Sequence, residues 1–182
     1  IVINIACGLD TRCYRMKGKY VRWYNLDLPE TINIRKQFLK ETGPIYQIAK
    51  SAMDESYRDD IQYHGENILV IIEGLTMYLS ENDIKKIFSI ITFKNSTVMV
   101  EVMFPFVVKH TKEKSVEGSH AKFTWGIKNG KELEKLLPTF SFLTEVSLVE
   151  GMKKLMPIYH VLGKIPFVYN ISNKIVVLNN HN

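Results

Sequence analysis

The stretch "IVINIACGLDTR" (residues 1–12) places a short apolar run against three small residues and then an Asp-Thr pair. "IVINIA" suits a strand buried on both faces, the kind that parallel sheets use. Ala6, Cys7 and Gly8 then form a tight turn, and "LDTRCYRM" reads as a helix with Asp10 or Thr11 near its N-cap. A strand feeding a helix through small residues is the opening unit of an α/β fold. The same turn lets a ligand approach backbone N–H groups at a helix N-terminus. A tight turn with no ligand has the same residues, so this stretch alone leaves both readings open.

The alternation continues along the chain. "VRWYNLD" (21–27) is a second strand, and Pro29 opens a helix with Glu30 in its first turn and Ile32, Ile34, Phe38 and Leu39 as apolar positions. "IYQIA" (45–49) and "NILVIIEG" (67–74) are further strands. "SENDIKKIFSIIT" (80–92) begins at Ser80 with Asp83 three residues on, close to a capping box, and Ile84, Ile87, Phe88 and Ile91 form its core face. "STVMVEVM" (96–103) is a fifth strand. Beyond Pro105 the pattern loosens: residues 109–125 are polar and read as a mobile or substrate-facing stretch. A short helix at 131–138 and closing strands at 142–150 and 174–179 follow, around a proline-interrupted apolar segment with no assignment. Five strand–helix alternations and two late strands predict an α/β fold with an open, mostly parallel sheet and helices on both faces. Its ligand crevice lies at the carboxyl ends of the strands, where strand order reverses.

The totals narrow the function. The 182 residues predict one domain, and 46% hydrophobic with 24% charged residues is ordinary for a globular chain. Apolar runs fall short of the roughly 18 residues a membrane span needs, so no membrane partner is expected. The net charge of +5 is spread over scattered Lys and Arg, with no run of five like charges, so nucleic acid is not an expected partner either. Cys7 and Cys13 give neither metal spacing nor a disulfide framework, which predicts a reduced, cytoplasmic protein without a bound metal.

Four strand ends carry the candidate chemistry. After the first come Ala6 and Gly8. The second closes on Asp27, nineteen positions past Gly8, near the spacing at which an acid grips ribose hydroxyls; an Asp beside the helix start at Pro29 is the alternative. The third leads to "KSAMDES", where Ser51 or Asp54 suits an adenine amino group while Ala52 and Met53 cover the ring; helix capping explains Ser51 and Asp54 equally well. The fourth ends in Glu73-Gly74, a carboxylate that needs a partner at a buried strand end. Together they suit an adenosine-bearing ligand. A dinucleotide would call for more glycines than Gly8, and Asp10 would repel a pyrophosphate while tolerating an ammonium and a sulfonium centre.

The blocks "VINIACGLDTRCYR", "WYNLDLPETINIRK", "SAMD" and "IIEGLTMYLSENDI" resemble signatures of the leucine carboxyl methyltransferase family, which includes the tetracenomycin-type polyketide O-methyltransferases. The resemblance covers roughly residues 1–92. It implies a Rossmann-like class I methyltransferase fold, seven-stranded with an antiparallel final hairpin, that uses S-adenosyl-L-methionine. By position, Gly8 would lie against the methionine part, Asp27 would hold the ribose, and Ser51 and Ala52 would stand where the family has an Asp-Leu pair at adenine. Glu73 would match its acidic contact after the fourth strand. Two departures stand out. Ala6 replaces a common Gly, which is tolerable only at negative φ, and Ser51 replaces an Asp, which weakens any charge-assisted bond to the adenine amine. Family members also carry an N-terminal helical cover that supplies an Arg to the cofactor's carboxylate. Residues 1–182 read as a single cofactor-binding domain without that cover, so the expectation for these residues alone is an open, weakened site with little turnover.

The expected reaction is methyl transfer to a carboxylate or hydroxyl of a small, polyketide-like acceptor. A protein C-terminal carboxylate, a nucleotide-dependent dehydrogenase and a noncatalytic binding module are the rivals. An ionised carboxylate acceptor needs no base, whereas a hydroxyl would benefit from one. His110 and His120 are conceivable bases, Tyr78 is a conceivable lining residue, and no catalytic residue is assigned. Cys7 is read as filler of the turn rather than a nucleophile.

Overall fold

Short apolar runs become strands wherever small or polar residues stop them: β1 Val2–Ile5, β2 Trp23–Asp27, β3 Ile45–Ala49, β4 Ile68–Ile72, β5 Ser96–Val102, β6 Phe140–Ser147 and β7 Lys174–Asn180. Helices α1 Arg12–Arg15, α2 Pro29–Phe38, α3 Glu81–Ile90, α4 Pro105–His110, α5 Gly130–Leu136, α6 Val149–Leu155, α7 Tyr159–Leu162 and α8 Pro166–Ile171 lie between them. The structure is a computed structural model that describes residues 1–110 and 122–180. Strand order is β3-β2-β1-β4-β5-β7-β6, parallel from β3 to β5, with β7 antiparallel to both its neighbours. This is the expected sheet, closing hairpin included. The chain starts at β1, leaves through β2 and β3, and returns on the other side of β1 as β4. Order therefore reverses beside β1, and the crevice opens at the carboxyl ends there.

Alternate residues of the central strands serve opposite faces. Ile3, Ile5, Leu26, Val70 and Ile72 join Ile84, Ile87 and Phe88 of α3 and Leu133 of α5 in the main core. Each such side chain contributes about 1.5–3 kcal/mol by burial. Helix α3 starts as the sequence predicts: the Asp83 N–H donates to Ser80 Oγ at 3.2 Å, and the Ser80 N–H donates to Asp83 Oδ2 at 3.0 Å. The other face holds a smaller cluster of Val2, Cys13, Trp23 and Ile71. It also holds a polar pair, Asn4 and Asn25, which stand opposite each other in register and are buried.

Two readings of the sequence need correction. In α2 only Ile32 of the expected apolar face is buried, while Ile34 is 50% and Phe38 71% exposed. The second inward position, one helical turn from Ile32, belongs to Arg35, which has no exposed surface. An ion pair explains that inversion and is described below. Where the pattern loosens at Pro105 a short helix, α4, forms, and of the stretch 109–125 residues 111–121 lie outside the described residues. The expected strand at 142–150 starts earlier and stops at Ser147, and the unassigned segment after it folds as α6, α7 and α8. Prolines within that segment break the helical period that would otherwise betray a single long helix. No helix among the described residues is long and apolar enough to cross a membrane.

Candidate functional site

A cavity of about 170 Å³ opens at the carboxyl edge, lined by Ala6, Leu26, Asp27, Leu28, Ser51, Ala52, Met53, Leu75, Leu79 and Ile87. Four of the six candidate cofactor residues, Ala6, Asp27, Ser51 and Ala52, thus share one space. Its walls are mostly aliphatic, and the charge stands at Asp27, where β2 ends.

The first turn forms the adjoining rim. Ala6 has φ 53° and Gly8 has φ 47°, both in the left-handed region. The expectation of negative φ at Ala6 is therefore wrong: the chain keeps an Ala where a Gly would be free of strain, at a cost of about 1–2 kcal/mol. The Cys7 N–H donates to Leu26 O at 3.2 Å, pinning the turn to the end of β2. Asp27 holds it from the same side. Its Oδ2 accepts the Gly8 N–H and its Oδ1 accepts the Leu28 N–H, each at 2.8 Å. Leu28, not Asp27, is the N-cap of α2. With one bond on each oxygen, the carboxylate keeps lone pairs free for two vicinal hydroxyls.

Asp10 and Thr11 divide the work at α1. Thr11 occupies the N-cap position without a side-chain bond, and Asp10 Oδ1 instead accepts the Arg12 N–H at 2.8 Å. Asp10 Oδ2 accepts from Asn4 Nδ2 at 2.9 Å and from Arg12 Nε at 2.7 Å. Burial pushes the Asp10 carboxyl up, but the Arg12 N–H and guanidinium hold it below the usual carboxylate range. Arg12 Nη2 also reaches Glu73 Oε2 at 2.8 Å. Glu73 is therefore partnered by Arg12 and is not among the cavity-lining residues. Asp27, after β2, is joined to the β1 turn at Gly8, whereas Glu73, after β4, is joined to Arg12 at the start of α1.

At the third strand end, Ser51 Oγ accepts the Met53 N–H at 3.2 Å, which folds Ala52 and Met53 against the cavity. Asp54 Oδ1 accepts the Ser56 N–H at 3.0 Å, capping the helical turn Glu55–Asp60, and Asp54 does not line the cavity. Capping is the reading that the geometry favours for Asp54.

Two supporting groups are missing from the candidates read from the sequence. Glu101 on β5 accepts the Gly74 N–H at 2.9 Å and Asn173 Nδ2 at 2.7 Å, fixing the turn after β4. On the other face, Arg35 and Glu41 form an ion pair with both side chains fully buried. Asn4 and Asn25 are their visible trace in the sequence, since a polar residue amid two apolar strands implies a buried polar partner.

Of the remaining candidates, Cys7, Tyr78 and His110 are not among the residues that line the cavity. The His110 ring nitrogen Nδ1 pairs with Phe106 O at 2.8 Å, and its ring stacks on Phe106 at 4.1 Å. His120 lies outside the described residues. Tyr78 packs on Phe123, ring centroids 5.3 Å apart. Cys7 is buried, and burial pushes its thiol up to about 12, despite the opposing Arg35 charge. That fits a packing role and not a nucleophile's. Among the described residues no group of His, Cys, Asp and Glu is arranged to hold a metal ion.

Residues 1–92 match the family model described as leucine carboxyl methyltransferase. The tetracenomycin polyketide synthesis O-methyltransferase TcmP of Streptomyces glaucescens is 29% identical over 155 residues, 83% of this chain and 57% of that protein. The S-adenosyl-L-methionine-dependent methyltransferase dpfgK of Gibberella zeae is 26% identical over 174 residues, 85% of this chain and 57% of that protein. The chain thus spans little more than half the length of these curated relatives. Among solved structures, a SAM-dependent methyltransferase from Anabaena variabilis ATCC 29413 superposes with TM-score 0.62 at 12% identity, covering 99% of this chain and 76% of that one. At such identity the likeness concerns the fold alone.

Proposed function

The chain belongs to the leucine carboxyl methyltransferase family, and from that premise we propose that it is the cofactor-binding part of an S-adenosyl-L-methionine-dependent O-methyltransferase acting on a small, polyketide-like acceptor. One observation carries the reading: an aliphatic slot between strand ends at the switch point, with Asp27 and the strained Ala6–Gly8 turn at its mouth. Leu26, Met53, Leu75, Leu79 and Ile87 suit the faces of an adenine ring. The Asp27 oxygens suit ribose hydroxyls. Asp10 and Glu73, flanking Arg12, suit the zwitterionic end of an amino acid.

S-adenosyl-L-methionine supplies a methyl group already activated on a sulfonium, so what the protein must add is alignment and exclusion of water. The described residues do the first through a turn fixed at both edges. An ionised carboxylate acceptor needs no base, which agrees with a site in which His110 is committed to its own helix. A relative named for polyketide O-methylation favours a small molecule over a protein C-terminus. Two buried free thiols, Cys7 and Cys13, suit a reducing compartment such as the cytoplasm.

Calorimetric titration of the intact gene product with S-adenosylhomocysteine, followed by its labelled-methyl transfer from S-adenosyl-L-methionine into a metabolite extract, tests the reading. Binding with label in a small acid or phenol is expected. Absence of binding overturns the cofactor assignment, label in protein carboxyl termini overturns the acceptor, and binding without transfer favours a noncatalytic module.

A further inference from the structure

Arg35 is a charged side chain with no exposed surface on a helix whose outward face carries apolar Ile34 and Phe38. Each of its three nitrogens has a partner. Nε donates to both Glu41 oxygens, at 3.2 and 3.1 Å, and Nη2 donates to Glu41 Oε1. Nη2 also donates to Asp10 O, and Nη1 donates to Gly8 O, both at 2.7 Å. Glu41 is held in turn, accepting Asn25 Nδ2 at 2.8 Å and Gln47 Nε2 at 2.6 Å.

Stability alone does not call for this arrangement, because apolar replacements of a buried ion pair are often as stable. Direction is what a planar guanidinium adds. Gly8 is gripped at both ends: its N–H by Asp27 at the cavity, its carbonyl by Arg35 from the opposite side. Because N–H and C=O are antiparallel across a trans peptide, holding the Gly8 and Asp10 carbonyls turns the Leu9 and Thr11 N–H groups away from the guanidinium.

We propose that Arg35, oriented by Glu41, is a positioning residue for the cofactor, which sets the conformation of Gly8 to Asp10 in which the first turn receives its ligand. This rests on the reading of that turn as an S-adenosyl-L-methionine site.

The test compares the protein with Arg35→Lys and with a double variant that combines Arg35→Met and Glu41→Gln. The first keeps the charge but loses the fork; the second removes both charges while leaving an amide oxygen at position 41 to serve Asn25. Three quantities are read: cooperative thermal unfolding, S-adenosylhomocysteine affinity, and amide hydrogen exchange at residues 6–12 relative to β4 and β5. The expected result is retained cooperative unfolding, affinity at least tenfold weaker, and faster exchange confined to residues 6–12. A folded double variant that binds within tenfold of the parent overturns the proposal. So does unchanged exchange at 6–12, or exchange raised evenly over the sheet, since Arg35 would then serve only the fold. If the parent protein binds no S-adenosylhomocysteine, the proposed function falls separately, and exchange at 6–12 alone decides whether Arg35 sets the turn.

Discussion

Gly8 donates its N–H to Asp27 Oδ2 at 2.8 Å across 19 residues of sequence, so the turn after β1 and the acid at the end of β2 form one rigid rim. The carboxylate thus has two tasks, shaping the turn and facing the cavity. Asp27→Asn keeps the size and an acceptor but removes the charge. Charge-assisted bonds are worth about 1.5–3 kcal/mol, so S-adenosylhomocysteine affinity should fall by about 10- to 100-fold, and the melting temperature should fall as well, because the Asn nitrogen faces one of the two backbone N–H groups that the carboxylate accepts. Titration calorimetry beside a thermal melt checks both; unchanged affinity would remove Asp27 from the site.

Ala6 holds φ 53° without the freedom of glycine. Ala6→Gly should release about 1 kcal/mol of strain, raising the melting temperature by about 2–4 °C for a chain of this size. Scanning calorimetry reads the shift. A lower melting temperature would mean that the entropy lost by ordering glycine exceeds the strain relieved.

Ser51 lines the cavity with a hydroxyl already accepting the Met53 N–H. An Asp there could accept the same bond and offer its second oxygen to an exocyclic amine. Ser51→Asp should tighten S-adenosylhomocysteine binding about 3- to 10-fold, on the order of 1 kcal/mol for a charge-assisted bond partly offset by desolvation. Weaker binding in a competition titration would place the adenine amine elsewhere.

The sheet was legible because parallel strands advertise themselves as short apolar runs, and the capping box at Ser80 and Asp83 is a purely local device. Asp27, Ser51 and Ala52 could be placed because strand ends at a switch point converge whatever the details of packing. What local patterns miss is long-range pairing. Arg35 looks like one more surface charge until Glu41 and the Gly8 carbonyl are brought to it, and that pairing displaces Ile34 and Phe38 to the surface. Glu73 reads as an acid in need of a partner, and that the partner is Arg12 at the start of α1 shows only in the fold. The sign of φ at Ala6 follows from bonds to β2, which no residue near position 6 reveals.

Cys7 sits in the first turn, where a reactive thiol would confuse any labelling study. Burial pushes its thiol up to about 12, leaving ~10⁻⁴ of it ionised at pH 8. Iodoacetamide at pH 8 should therefore leave Cys7 unmodified in the folded protein and modify it fully in urea. Mass spectrometry of the peptide that contains it decides; rapid labelling in the native state would show that the turn opens.

Glu41 links the buried pair to pH. Burial pushes its carboxyl up, yet hydrogen bonds from Arg35 and Gln47 and the Arg35 charge more than offset this and hold it below the usual value of 4.5. A depressed folded-state value means that the unfolded chain binds the proton first, so the contribution is complete above about pH 4.5 and is lost as pH falls through the lower folded value. Asp10 is shifted the same way and adds to the loss below its own ordinary value of 3.8. Glu41→Gln strands the Arg35 charge, so it should cost about 3–5 kcal/mol at pH 7. Because the amide that replaces the carboxylate cannot titrate, the decline in stability below about pH 4.5 should also be shallower than in the parent. Urea unfolding between about pH 7 and pH 3 measures both effects, and parallel curves for the two proteins would mean that folding leaves the proton affinity of Glu41 unchanged.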